Sequence, residues 1–251
     1  MDSLWFRRFG TEESRAVRLI CFPHAGGSAA SYVPLLRCLS PRFDALAVQY
    51  PGRQDRRREQ PAEDVAGLAG RIAAALRPAT DRPYALFGHS MGALVAFETA
   101  RALRDLGAPA PLRLFLSGRG APTGQPNPHD QVPDDAAILA AVRRLGGTSA
   151  AALADPDLLD MALPVLRADY RALAAYRRPP GEPLLSPVTA LTGDSDPVVT
   201  PAEAARWREF TRSGCEVRVF PGGHFYLDHC PGAVADAVAD GVRAVQEAVG
   251  R

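Results

Sequence analysis

The chain has 251 residues, of which 47% are hydrophobic and 23% are charged, as is typical of a globular protein with one substantial core. Its formal net charge of +1 provides no overall field that would recruit nucleic acid or an anionic membrane. Every basic residue is arginine, so mechanisms that need a lysine amine, such as Schiff-base chemistry, are excluded.

No targeting or membrane segment is visible in the sequence. The residues after Met1 lack the apolar core of a signal peptide, and no apolar run reaches the about 18 residues of a membrane span. The four cysteines are scattered and form no C-x-x-C pair, so no disulfide scaffold is predicted. We therefore expect a cytoplasmic monomer with a single domain over residues 1–251.

Short apolar segments alternate with helical segments along most of the chain. This alternation predicts an α/β fold with a mostly parallel central sheet and helices on both faces. The strand segments are almost continuously hydrophobic, as expected for strands that are covered on both sides. The predicted strands are Val17–Phe22, Ala45–Gln49, Tyr84–Phe87, Leu112–Leu116, Val188–Leu191 and Glu216–Phe220.

Helical spacing of apolar residues predicts four helices around this sheet. The third has a clear start, because Thr200 and Glu203 form a capping box with Pro201 at the first helical position. The four predicted helices are Ala62–Leu76, Ser90–Leu106, Pro201–Arg212 and Pro231–Val249.

The alternation stops between Ala121 and Ser186. A loop rich in proline, glycine and asparagine precedes two helical patterns, Asp134–Leu145 and Pro156–Tyr176, and Pro164 should kink or break the second. An insertion at this point lies over the carboxyl edge of the sheet, where ligands bind in this architecture. It is either a hairpin that buries its own apolar stripe or a lid that shapes a pocket.

The run G-H-S-M-G carries the strongest chemical signal. It follows a predicted strand and opens a predicted helix, which is the setting of the nucleophile elbow in α/β-hydrolases. Gly88 and Gly92 permit a tight turn that exposes the Ser90 hydroxyl above the sheet. The amide of Met91 then lies at a helix N-terminus, where it favours a developing negative charge. Ser90 is therefore the predicted nucleophile of an acyl-transfer hydrolase.

A serine nucleophile needs a base and an acid, and in this fold they follow it along the chain, the acid first. His224 follows the last predicted strand in a glycine-rich loop, which makes it the predicted base, whereas His229 is interpreted as surface structure. The acid comes from the loop after Val188–Leu191, which contains Asp194 and Asp196. The residues alone leave both carboxylates as candidates, since either could be a turn-former.

Two further segments fit this chemistry. The loop after the first predicted strand, F-P-H-A-G-G-S, should supply the second oxyanion amide from Ala25, with His24 fixing the loop by hydrogen bonding. The densest charge cluster contains Arg53, Arg56, Arg57 and Arg58. It is interpreted either as a solvated loop or as a docking patch for phosphate or an acidic surface.

Taken together, these runs resemble the type II thioesterases, the free-standing editing enzymes of polyketide and non-ribosomal peptide synthesis. The matching segments are W-F-R-R-F, F-P-H-A-G-G, Y-P-G-R-Q-D-R, G-H-S-M-G-A, L-R-A-D-Y, L-T-G-D-S-D-P and G-G-H-F-Y-L, which extend from Trp5 to Leu227 in the family's order. The lid region matches least.

This resemblance implies a Ser90–His224–Asp196 triad, with oxyanion amides at Ala25 and Met91 and a helical lid. It also implies acyl groups on the phosphopantetheine arm of an acyl or peptidyl carrier protein as substrates, with no metal or organic cofactor. A carboxylesterase or lipase that acts on free esters is the alternative enzyme. A non-catalytic binding protein on the same scaffold is the alternative of another class.

Overall fold

The computed structural model describes residues 4–9, 17–124, 126–147 and 154–249. Within them seven strands form one sheet in the spatial order β1-β3-β2-β4-β5-β6-β7. Strands β2 to β7 are parallel to one another, whereas β1 pairs antiparallel with β3. The strands are β1 (Phe6–Arg8), β2 (Arg18–Phe22), β3 (Asp44–Val48), β4 (Tyr84–His89), β5 (Leu114–Ser117), β6 (Val188–Gly193) and β7 (Cys215–Phe220).

Helices cover both faces of this sheet. Helices α2 and α3 pack together on one face, and α1 packs against α8 on the other. The helices are α1 (Val33–Leu39), α2 (Val65–Leu76), α3 (Met91–Asp105), α4 (Asp135–Leu145), α5 (Pro156–Ala175), α6 (Pro201–Ala205), α7 (Tyr226–His229) and α8 (Pro231–Val249). In the part of the chain that the structure describes, none of the helices has the length and apolarity needed to cross a membrane.

The six predicted strands are all confirmed, with ends that differ by one or two residues. Strand β1 and the helices α1 and α7 were not predicted, because each is too short to show a periodic pattern. The capping box of Thr200 and Glu203 is present, but α6 ends at Ala205 and continues as a 3-10 helix over Arg206–Phe210. The predicted helix Pro201–Arg212 is therefore only partly α-helical.

Alternating side chains of the central strands supply two hydrophobic cores, one on each face. In β2, Ile20 and Phe22 enter the core beneath α2 and α3, whereas Leu19 and Cys21 enter the core beneath α1 and α8. Strands β2 to β6 are buried throughout, as their continuous hydrophobic sequence predicts.

Strand β7 departs from this prediction. It lies at the edge of the sheet and pairs only with β6, so several of its side chains are exposed, including Val219. The prediction that this strand is covered on both faces is therefore wrong for its exposed residues, such as Val219. The exposed arginine and glutamate side chains of β7 are of the kind that protect sheet edges from aggregation.

The insertion between β5 and β6 packs onto the main core and does not form an independent hairpin. Leu166, Tyr170 and Leu173 of α5 join the same buried cluster as the strands and α3. Helix α5 also runs past Pro164 without a break, so of the predicted kink or break the break does not occur. Burial of the following turns offsets the one backbone hydrogen bond that proline removes.

Strand β4 enters α3 through a turn in which three backbone segments meet. A Cβ atom on Gly92 would overlap the carbonyl oxygen of Phe22 in β2, and a Cβ atom on Gly88 would overlap the carbonyl of Gly92. Because backbone cannot move aside as a flexible side chain can, both positions require glycine. The start of α3 is therefore in direct backbone contact with the end of β2.

We expect Gly92→Ala to lower the free energy of unfolding by roughly 3 kcal/mol, because the new methyl group overpacks a backbone contact. Gly70→Ala is the matched control, since Gly70 lies inside α2 with open space around it. That change should raise the free energy of unfolding by about 0.5–1 kcal/mol. Urea denaturation measures both, and a Gly92→Ala protein as stable as the wild type would contradict the close approach.

Candidate active site

Ser90 lies between β4 and α3 in a conformation that non-glycine residues seldom adopt, with φ 55° and ψ −118°. Its backbone N–H donates to the carbonyl of Ser117 at 2.8 Å, which ties the turn to the neighbouring strand. A backbone held in such a region costs on the order of 1–3 kcal/mol and persists only where the surroundings impose it. The strained turn is the geometry that the G-H-S-M-G motif predicts.

His224 and Asp196 meet at the carboxyl edge of the sheet, each on the loop after its strand. Nδ1 of His224 lies 2.9 Å from Oδ2 and 3.1 Å from Oδ1 of Asp196. Both side chains are buried, and Asp196 also accepts a hydrogen bond from the Val198 amide. The carboxylate can only accept, so Nδ1 carries the proton and Nε2 is left as the basic nitrogen.

The basic nitrogen faces no competing group. Nε2 of His224 is buried without a hydrogen-bond partner among residues 4–9, 17–124, 126–147 and 154–249. Ser90 and His224 line the same cavity. His229, the other histidine after the last strand, is exposed at the end of α7.

Asp194, the second candidate acid, has a different set of contacts. Its Oδ1 accepts hydrogen bonds from the Ser195 hydroxyl at 2.8 Å and the Gly222 amide at 3.0 Å. These donors lower the pKa of the Asp194 carboxyl, the Gly222 amide most strongly. Asp194 therefore ties the turn after β6 to the loop that carries His224, and the imidazole itself is held by Asp196.

The proposed oxyanion amides come from the turn after β2 and from the first residue of α3. Ala25 lies in the turn after β2, where the Gly27 amide donates to the His24 carbonyl at 2.9 Å and Gly26 has φ 74°. Met91 is the first residue of α3, so its amide has no acceptor within the helix. Ala25 and Ser90 line one cavity, as the predicted roles require.

A cavity of about 180 Å³ opens above Ser90. Its base contains His24, Ala25, Ser90 and His224, and its walls are largely apolar. Helices α4 and α5 supply much of this wall through Ala141, Val142, Leu145, Leu159, Ala162, Leu166, Tyr170 and Leu173. The insertion therefore covers the site as a lid, which is the second of the two interpretations that its sequence allows.

One charged pair interrupts the apolar wall. The guanidinium of Arg119 binds both carboxylate oxygens of Asp130 at 2.8 and 2.5 Å, and both residues are buried. The pair joins the end of β5 to the loop before α4, so it fixes the base of the lid.

Two further histidines surround His224. Burial lowers the pKa of His24 to about 4, and the nearby His224 and Arg53 add to the shift. Burial likewise holds the pKa of His89 well below its ordinary value, with His224 and His24 contributing. Both rings are therefore neutral at neutral pH and place no further positive charge beside His224.

These rings are held by packing and by one hydrogen-bond chain. His24 packs edge-on against Phe225 with ring centroids 4.8 Å apart, and its carbonyl accepts the Gly27 amide hydrogen bond within the loop. His89 Nδ1 lies 2.9 Å from the Ser117 hydroxyl, which in turn lies 2.6 Å from the Tyr226 hydroxyl. The hydrogen bonds from His89 through Ser117 to Tyr226 join β4, β5 and α7 below the site.

The four arginines of the predicted docking patch divide into two pairs. Arg53 is buried and binds both carboxylate oxygens of Asp169 at 2.9 Å. Arg56 is also buried, donates to the Gln49 carbonyl, pairs with Glu59 and lies over the Trp5 ring. The prediction of a docking surface is therefore wrong for Arg53 and Arg56. Arg57 and Arg58 are exposed.

Sequence reasoning missed Asp169, which lies within the L-R-A-D-Y run of α5. Its carboxylate is fully buried between Arg53 and the Gly26 amide. A signal was present, because Asp169 continues the buried stripe of Leu166 and Leu173 at helical spacing. An acidic residue on such a stripe needs a partner, and that partner lies on a distant segment.

No group of three or more histidine, cysteine, aspartate or glutamate side chains is arranged to hold a metal ion among the residues that the structure describes. The parallel sheet, the strand–turn–helix position of Ser90 and the loops that bear Asp196 and His224 define an α/β-hydrolase.

Comparison with known proteins narrows this class. A family model described as thioesterase domain matches residues 17–242. The probable cadicidin biosynthesis thioesterase of Streptomyces griseus is 46% identical over 235 residues, which are 94% of this chain and 65% of that protein. Thioesterase PikA5 of Streptomyces venezuelae is 46% identical over 228 residues, 90% of this chain and 81% of that protein. The chain belongs to the thioesterase domain family of hydrolases.

A solved structure supports the same assignment. The type II thioesterase BorB from the borrelidin biosynthetic cluster superposes with a TM-score of 0.87 at 44% identity, and the match covers 96% of this chain and 99% of that one. The resemblance to type II thioesterases that the motifs indicate is thereby confirmed at the level of fold and sequence.

We expect Asp196→Asn to lower kcat/KM for a thioester by roughly 10³–10⁴-fold, because an amide no longer selects the productive histidine tautomer. Asp194→Asn should change kcat/KM by less than about tenfold, since its contacts hold the turn and not the imidazole. Steady-state kinetics of the two purified variants tests this difference. Equal losses would contradict the assignment of Asp196 as the partner of His224.

Proposed function

We propose that this chain is a type II thioesterase, which hydrolyses acyl groups from the phosphopantetheine arm of an acyl or peptidyl carrier protein. The observation that supports this most directly is the Asp196–His224 pair on the cavity that also contains Ser90, beneath an apolar lid. An apolar cavity fits the hydrocarbon part of an acyl chain. Two relatives named as thioesterases of biosynthesis, those of cadicidin and borrelidin, support the carrier-bound substrate.

The proposed reaction has two halves. In the first, His224 Nε2 removes the Ser90 proton while Oγ attacks the thioester carbonyl, and the amides of Ala25 and Met91 stabilise the oxyanion. The C–S bond then breaks, and the departing sulfur takes the proton from His224 Nε2, which gives an acyl-Ser90 ester, the carrier thiol and a neutral imidazole. Because a thiol has a pKa of about 8.5, it leaves with little help from a general acid.

In the second half, water replaces the thiol. His224 removes a proton from the water molecule, which attacks the acyl-Ser90 carbonyl to form a second tetrahedral intermediate. As that intermediate collapses to the free carboxylic acid, the bond to Oγ breaks and Oγ takes the proton from His224, which regenerates the Ser90 hydroxyl. Asp196 holds the imidazole in place and stabilises its protonated form in both halves.

The biological role that we propose is editing, in which stalled or aberrant acyl units are released from a polyketide or non-ribosomal peptide synthase. We also propose that the chain acts in the cytoplasm as a single-domain monomer. Sedimentation of the active protein tests the monomeric state.

We expect Ser90→Ala to lower hydrolysis of an acyl-carrier substrate by more than about 10³-fold while the fold and melting temperature stay unchanged. A serine-reactive fluorophosphonate should label the wild type and leave Ser90→Ala unlabelled. Retained activity in Ser90→Ala, or no labelling of the wild type, would contradict the nucleophile. The second outcome would favour a binding protein.

The substrate class needs its own comparison. The same acyl group is presented as a carrier-bound thioester, as a small thioester and as a p-nitrophenyl ester. A kcat/KM far higher for the carrier-bound form supports the proposal, and the reverse order would favour a carboxylesterase.

Arg57 and Arg58 are the part of the predicted docking patch that the proposal retains. Reversing both to glutamate should raise KM for the carrier-bound substrate roughly tenfold, because rim charges attract acidic partners, and leave KM for the small thioester unchanged. Arg208→Glu with Arg212→Glu is the matched control, since both exposed arginines precede β7 at the amino-terminal edge. Equal effects on both substrates, or in both double variants, would remove this patch from the proposal.

A further inference from the structure

Helix α5 carries a fully buried carboxylate that points away from solvent and toward the loop containing Ala25. Asp169 accepts from both terminal nitrogens of Arg53 at 2.9 Å and from the Gly26 amide at 2.7 Å. Arg53 also donates to the Gly27 carbonyl at 3.2 Å. The two residues therefore hold the turn next to Ala25 from both sides of its backbone.

Packing reinforces these hydrogen bonds. A Cβ atom on Gly26 would lie 2.6 Å from Leu166 Cδ2, so the side chain one turn before Asp169 lies directly on this glycine. Gly26 has φ 74°, a conformation that favours glycine. The face of α5 that lies on this turn therefore contacts it at two positions one helical turn apart, Leu166 and Asp169.

A buried ion pair is a poor source of stability, because the cost of removing two charges from water offsets their attraction. Its geometry is nevertheless rigid, since a bidentate guanidinium–carboxylate pair fixes distance and orientation together. The Gly26 amide is used by Asp169, and the preceding residue, Ala25, lines the cavity that contains Ser90. An oxyanion donor contributes only when it is fixed before the negative charge develops.

We propose that Asp169 and Arg53 are positioning residues for the oxyanion hole, which fix the Ala25 amide and join it to the lid helix. Neither residue touches the reacting atoms, and both act through the turn at Gly26 and Gly27. This inference rests on the proposed acyl chemistry of Ser90. It assigns a role in turnover to the lid helix in addition to its role as a cavity wall.

Two variants test the inference. Arg53→Lys keeps the charge but loses the bidentate contact, and the double variant Arg53→Met with Asp169→Leu replaces the ion pair by apolar groups of similar volume. The second variant avoids an unpaired buried charge, so it should fold. Arg18→Lys is the matched control, because Arg18 is equally buried and pairs with Asp44 where β2 and β3 begin, at the opposite edge of the sheet.

Both Arg53 variants should lower kcat for a short acyl thioester by about 10–100-fold, less than or equal to the loss of a whole oxyanion donor, while KM changes by less than about threefold. An alkyl trifluoromethyl ketone, which forms an oxyanion adduct with the nucleophilic serine, should lose affinity by the same factor. Substrate affinity measured in the Ser90→Ala background should not change. Arg18→Lys should leave kcat and the ketone affinity at wild-type values.

The outcomes separate this inference from the proposed function. Folded variants that retain kcat and ketone affinity overturn the positioning role and leave the proposed function intact. A loss of kcat without a matching loss of ketone affinity overturns it as well, because the defect then lies outside the oxyanion hole. A wild type that neither hydrolyses the thioester nor binds the ketone more tightly than Ser90→Ala overturns the proposed function and this inference together.

Discussion

The contact of greatest consequence in this molecule is between backbone atoms. The start of α3 lies so close to the end of β2 that the Phe22 carbonyl leaves no room for a side chain at Gly92. This approach brings the turn with Ser90 and the turn with Ala25 to the same edge of the sheet. It also imposes the unusual backbone angles of Ser90. Ser90 and the turn with Ala25 are therefore placed by strand and helix packing, and the loops only complete the arrangement.

Electrostatics in the site follow from burial. Three histidine rings lie close together in the site, and the ring centroids of His89 and His224 are 4.8 Å apart. Burial keeps His24 and His89 neutral, whereas Asp196 gives His224 a partner that can stabilise a positive charge. Of the three imidazoles, His224 is the one with a carboxylate partner, as the proposed proton transfer requires.

Much of the fold could be predicted because central strands of a parallel sheet are hydrophobic on both faces and therefore show as continuous hydrophobic segments in the sequence. The order of Ser90, Asp196 and His224 along the chain was readable for a similar reason, since each follows a strand. The roles of Arg53 and Asp169 were not readable. Arg53 and Asp169 pair with each other across 116 residues of sequence, so neither residue signals the other locally. The arginine-rich run, for which a solvated loop was one interpretation, is therefore partly buried. Strand β1, with three residues, carries no periodic signal at all.

Helix α5 has consequences for how members of such a family can diverge. Leu166 of this helix lines the cavity. Asp169, one helical turn further on, accepts a hydrogen bond from the Gly26 amide in the loop next to Ser90. On the proposed role of Asp169, substitutions in this helix alter the cavity wall and the catalytic rate together. A lid transplanted between relatives would keep its chain-length preference only if Arg53 and Asp169 travelled as a pair. Met161, which is exposed and is not among the residues that line the cavity, has no such constraint and is free to vary.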